Sequence, residues 1–85
     1  MDYYLITFSN THSAIAAQKF LKEKLDYTVM PTLREISNSC GISLKIVNAS
    51  IIEIEEQMNL FETNPSMYTI YFVESNGTIT KIALQ

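Results

Sequence analysis

The spacing of apolar and polar positions changes several times along the 85 residues, and each change marks an element. Asp2–Phe8 is rich in β-branched and aromatic residues and reads as a strand. Ser9, Asn10 and Thr11 then supply side chains able to cap a helix. Ala14, Ala17, Leu21 and Leu25 follow on one face at helical spacing, while Lys19, Lys22 and Lys24 project from the rest as a solvated face does. Tyr27–Met30 is a short second strand closed by Pro31. Leu33–Ser37 has the length of one helical turn, which the small polar residues after it end. Ile42, Leu44 and Ile46 alternate with Ser43 and Lys45, the pattern of a half-buried strand. Ser50-Ile51-Ile52-Glu53 fits a capping box. Behind it Ile51, Ile54, Met58 and Phe61 predict an amphipathic helix with Glu53, Glu55, Glu56 and Glu62 outside. Met67–Glu74 is a strand, Asn76-Gly77 is the dipeptide preferred in a type I′ hairpin turn, and Thr78–Leu84 returns.

This order allows a parallel sheet, but two short βαβ units also match the split βαβ pattern. The expectation is an α+β, ferredoxin-like two-layer sandwich: β-α-β-β-α-β plus an extra C-terminal strand, a mainly antiparallel sheet, two helices on one face. No linker composition or repeat divides the chain, so residues 1–85 read as a single domain. The first strand is apolar on both faces (Tyr3 and Leu5; Tyr4, Ile6 and Phe8), and so is the fourth (Tyr68, Ile70 and Phe72; Tyr71 and Val73). Two helices cover one face, so a homodimer or a complex through the open face is expected.

Composition narrows the chemistry. A net charge of −3 and a pI near 4.9 remove the basic footprint of a nucleic-acid binder. No apolar run approaches a membrane span, and Met1-Asp2-Tyr3-Tyr4 lacks the basic start of a signal peptide, so a cytoplasmic location is expected. Cys40 is the one cysteine, His12 the one histidine and Arg34 the one arginine. A disulfide within the chain and a thiolate metal cluster are excluded, and neither metal nor cofactor is expected. Glycine occurs only at Gly41 and Gly77, so there is no glycine-rich phosphate cradle, and no paired carboxylate site suggests hydrolysis.

In the ferredoxin-like order, the end of strand one lies beside the start of strand three. That brings Ser9, Thr11 and His12 toward Cys40 and Gly41, with the 31–41 connection delivering Arg34, Ser37 and Ser39 to the same edge. A thiol near a helix N-terminus or a cation can titrate at roughly 3.5–7.5 instead of about 8.5. His12 can take its proton or stabilise the anion, Arg34 can favour the thiolate, and Gly41 permits backbone geometry other residues avoid and leaves room for a group on sulfur. Blander readings stand beside these. An isolated cysteine can be a small buried apolar residue, His12 an exposed helix residue, Arg34 a tie for loop carbonyls, and Ser37 and Ser39 turn formers.

At these residues the sequence resembles the selenium/sulfur carrier protein-like family of small bacterial domains. The matching stretches are Phe8-Ser9-Asn10-Thr11-His12-Ser13-Ala14 and Pro31-Thr32-Leu33-Arg34-Glu35-Ile36-Ser37-Asn38-Ser39-Cys40-Gly41-Ile42. The family often has proline before the arginine, where this chain has Leu33, and the C-terminal hairpin carries nothing assignable to it. The resemblance implies a carrier rather than a turnover enzyme, with Cys40 holding sulfur or selenium as a persulfide or selenyl sulfide between donor and acceptor proteins. A noncatalytic interaction or regulatory module acting through the open sheet face is the alternative. A redox sensor ranks below both, because no second thiol locks an oxidised state within the chain.

Overall fold

A computed structural model describes residues 2–36, 41–61 and 67–82. Along the chain run β1 (Tyr3–Phe8), α1 (Thr11–Leu21), β2 (Thr28–Pro31), β3 (Ile42–Ile46), α2 (Ile51–Phe61), β4 (Tyr68–Val73) and β5 (Ile79–Lys81). The sheet order is β2-β3-β1-β4-β5 and every neighbouring pair is antiparallel. This is the expected α+β sandwich, a ferredoxin-like arrangement with an extra strand beyond β4.

The helix starts follow from their caps. Asn10 is extended (φ −156°, ψ 165°) and its Oδ1 accepts the Ser13 N–H at 2.7 Å. Ser50 Oγ accepts the Glu53 N–H at 3.2 Å, the serine half of the capping box. Helix α1 ends at Leu21, whose carbonyl accepts the N–H groups of Lys24 and Leu25. Leu25 therefore lies past the helix, half-buried. Tyr27 stands outside β2, its hydroxyl donating to the Gln18 carbonyl at 3.0 Å.

Both helices bury one stripe against the same sheet face. Ala14, Ala17 and Leu21 of α1 and Ile54 and Met58 of α2 pack on Ile6, Phe8, Leu44, Ile46, Tyr68 and Ile70. Each large apolar side chain so buried contributes about 1.5–3 kcal/mol. Small alanines on α1 let its backbone approach the sheet.

The opposite face departs from expectation. Residues 32–36 cross it and make a turn, closed by the Ile36 N–H to the Leu33 carbonyl at 3.0 Å. Leu33 and Ile36 pack over Leu5 and Val73, with Tyr3, Met30, Tyr71 and Ile79 around them. Leu5 is 0% exposed. The face left open by the helices is thus narrowed by the connection itself.

The final hairpin also differs. The Gly77 N–H donates to the Glu74 carbonyl and the Glu74 N–H to the Thr78 carbonyl, both at 2.9 Å. Among the described residues only Gly77 has a positive φ, +96°. A type I′ turn needs positive φ at Asn76 as well. Instead Ser75, Asn76 and Gly77 form a three-residue loop with glycine in the left-handed position, and Asn76 Oδ1 accepts the Thr78 N–H. Among the described residues, no helix is long and apolar enough to cross a membrane.

Candidate functional site

The end of β1 and the start of β3 share one edge of the sheet, because Thr7 pairs with Ser43 and Pro31 with Ile42. On the β1 side, Ser9 N–H donates to the Met67 carbonyl at 3.0 Å and its hydroxyl to Met67 Sδ at 3.7 Å. Thr11 and His12 follow, exposed on the first turn of α1. That turn carries no acidic side chain, so the positive end of the helix is not neutralised from within it.

On the β3 side the loop base is tied twice. The Thr32 N–H donates to the Gly41 carbonyl at 3.0 Å, and Thr32 Oγ1 lies 2.7 Å from Ser43 Oγ. Ser43 is 0% exposed and Thr7 1%, so this hydroxyl pair sits over a buried polar stretch of sheet. The alternation of β3 marks Ser43 as solvent-facing, and the fold overturns that. Its face is covered by the connection, and Thr32 supplies the hydrogen bond that burial of a hydroxyl requires.

Gly41 is exposed, its φ is not positive, and among the described residues nothing lies within 4 Å of the position a Cβ would take. The glycine is not needed there for special backbone geometry, contrary to the sequence expectation. The space beside it remains. Replacement by alanine is therefore expected to leave the fold intact and raise stability by about 0.4–1 kcal/mol through the unfolded chain. A lower thermal midpoint for Gly41→Ala would contradict this.

Arg34 is exposed on the turn between Leu33 and Glu35, which border Tyr3, Val73 and Ile79. Those residues mark the start of β1 and the end of β4, so the turn stands over the other end of the sheet from His12. The described backbone brings Ser9, Thr11 and His12 together and ties Gly41 to Thr32, with Arg34 carried off across the open face. Ser37, Ser39 and Cys40 lie outside the described residues. A groove beside the same turn is lined by Glu35, Ile36, Tyr71, Gly77, Ile79 and Lys81.

The family described as "Putative Se/S carrier protein-like" matches residues 3–68, most of the chain. The chain belongs to that family. The match spans β1 to α2 and reaches the first residue of β4, so the β4–β5 hairpin falls almost wholly beyond this carrier-family segment. Membership of a carrier-like family implies partner proteins in general. No match was found among curated proteins or among solved structures.

Thr32 and Ser43 are the site-forming residues that the motifs did not single out. Their tie closes the base of the loop that leads to Cys40. Thr32→Val leaves the buried Ser43 hydroxyl without this partner, and the expected cost is about 1–3 kcal/mol in urea unfolding. The double variant with Ser43→Ala should recover most of that loss, since both polar groups are then gone. Equal stability of Thr32→Val and the wild type would show that the hydroxyl pair holds nothing.

Proposed function

We propose that this domain, acting as one unit over residues 1–85 in the cytosol, carries sulfur or selenium on Cys40. The observation that carries the reading is the family match over residues 3–68 in a chain with a single cysteine. In the sulfur case the Cys40 thiolate attacks the outer sulfur of a donor persulfide. A new S–S bond forms, the donor's S–S bond breaks, and the donor leaves as a thiolate that takes up a proton. An acceptor thiolate then attacks the outer sulfur on Cys40, receives it, and regenerates the Cys40 thiolate. Sulfane sulfur moves with no net oxidation or reduction, as in thiol–disulfide exchange. Transfer of selenium through a selenyl sulfide is written the same way.

In this reading His12 accepts or returns the proton, and the acid-free start of α1 stabilises the anion. Ser9, Thr11, Ser37, Ser39 and Gly41 line the approach, while Arg34, exposed over the other end of the sheet, takes no part in the proton step. Donor and acceptor proteins are the partners. The absence of a second thiol suits a carrier that must not discharge onto itself. The test is intact-mass spectrometry of the purified protein before and after exposure to a low-molecular-weight persulfide. The expected result is a gain of one sulfur atom on the protein, removed again by a second thiol. A chain that stays unloaded overturns the reading.

The second reading is a noncatalytic interaction module acting through the open sheet face. It is favoured by the groove that Ile36, Tyr71, Ile79 and Lys81 border. Such a module keeps every binding property when Cys40 is replaced by serine.

A further inference from the structure

Apart from His12 at its start, the outer surface of the helix layer plays no part in the carrier reading. On α1, His12, Ile15 and Lys19 are exposed, and exposed Lys22 continues the series just past the helix end. Steps of three and four residues place them on one stripe. On α2, Ile52, Glu56 and Leu60 are exposed at i, i+4 and i+8, flanked by exposed Glu53 and Asn59. Ile15 is 45% exposed, Ile52 64% and Leu60 72%. The helices bury their other sides against the same sheet face, and the rings of Phe20 and Phe61 lie 5.5 Å apart, so the two stripes share one surface.

The stripes differ in charge. Lys19 is the one lysine or acidic residue of α1, and its sign is positive; α2 carries Glu53, Glu55 and Glu56 and no basic residue. Exposed Glu23 adjoins Lys22, so the basic character of the α1 side rests on Lys19; that side beside the acidic α2 side, each with exposed aliphatic side chains, can match itself about a two-fold axis. On the opposite side of the sheet, Leu33 and Ile36 already occupy much of the apolar face.

We propose that two copies of this chain associate through their helix layers, the α1 stripe of one against the α2 stripe of the other. Ile15 of each copy meets Leu60 of its partner, Lys19 faces Glu56 and Lys22 lies toward Glu53. This differs from the self-association through the open sheet face that the sequence suggests. It does not depend on Cys40, so its failure leaves the carrier reading untouched.

Sedimentation equilibrium of the full chain at high micromolar concentration tests it. A dimer is expected at low salt, weakening as salt is raised. Lys19→Glu with Lys22→Glu should weaken association at least about tenfold, and so should Glu56→Lys with Asn59→Lys, which spares the first turn of α2. Mixing the two double variants restores both contacts and should recover the wild-type dimer. Circular dichroism identifies any variant that fails to fold, and Leu60→Asp then replaces it as the disrupting change. A monomer at low salt overturns the proposal. So does a dimer indifferent to these charges, one broken instead by Tyr71→Lys on the sheet face, or a mixture no better associated than either variant alone.

Discussion

Cys40→Ser is expected to lose all loading with sulfur or selenium while keeping the fold. The chain has four methionines and no cysteine besides Cys40, and a thioether forms no persulfide. A serine hydroxyl is not ionised near neutral pH and does not attack sulfane sulfur. The loss should be complete rather than graded, because no second thiol can substitute. The neighbouring Gly41 is exposed and the replacement exchanges one sulfur for one oxygen, so the urea midpoint should stay close to that of the wild type. Intact-mass spectra of both proteins after identical exposure to a persulfide decide the matter. A serine variant that gains the same mass places the cargo elsewhere. One that keeps its mass but retains all partner binding favours the interaction-module reading.

Leu5→Ala is expected to cost about 2–5 kcal/mol, lowering the urea midpoint by on the order of 1–2 M with little change in slope. Leu5 is on the central strand, on the face that the helices leave uncovered, and yet it is fully buried beneath Ile36 beside Val73. The size of the effect reports on the cover. A leucine on a bare sheet face changes stability by no more than about 0.5 kcal/mol when shortened. Domains of this kind are stable by only about 5–15 kcal/mol, so the larger cost is easily measured. Ile36→Ala should reproduce part of it, because it removes the other half of the contact. A negligible effect of Leu5→Ala would mean that residues 32–36 do not hold the position assigned to them.

The elements were legible where one period governs a segment. Ile51, Ile54, Met58 and Phe61 define α2, and Ser50 caps it as its spacing to Glu53 suggests. Asn10 was one of three residues able to cap α1, and local pattern does not choose among them; the bond to Ser13 does. The connection was harder to read, since Leu33 and Ile36 are two apolar residues in a polar run. Their destination depends on a sheet face that exists only after β1, β3 and β4 have paired. The same long-range contact buries Ser43, which strand alternation alone assigns to solvent. It also takes Arg34 away from the edge where His12 stands, because a loop that crosses the sheet carries its middle residues with it. The Asn76-Gly77 dipeptide marked the hairpin correctly but not its length, since Gly77 serves a three-residue loop as well as a two-residue one. Cys40, Ser37 and Ser39 lie outside the described residues, so their part in the site stays a proposal from the sequence.

The most direct test of a reactive carrier thiol is the pH dependence of alkylation by iodoacetamide, which reports Cys40 alone in this chain. The rate is expected to rise through a midpoint well below the ordinary thiol value of about 8.5, so that the thiolate already dominates at neutral pH. A midpoint at or above about 8.5 would contradict it.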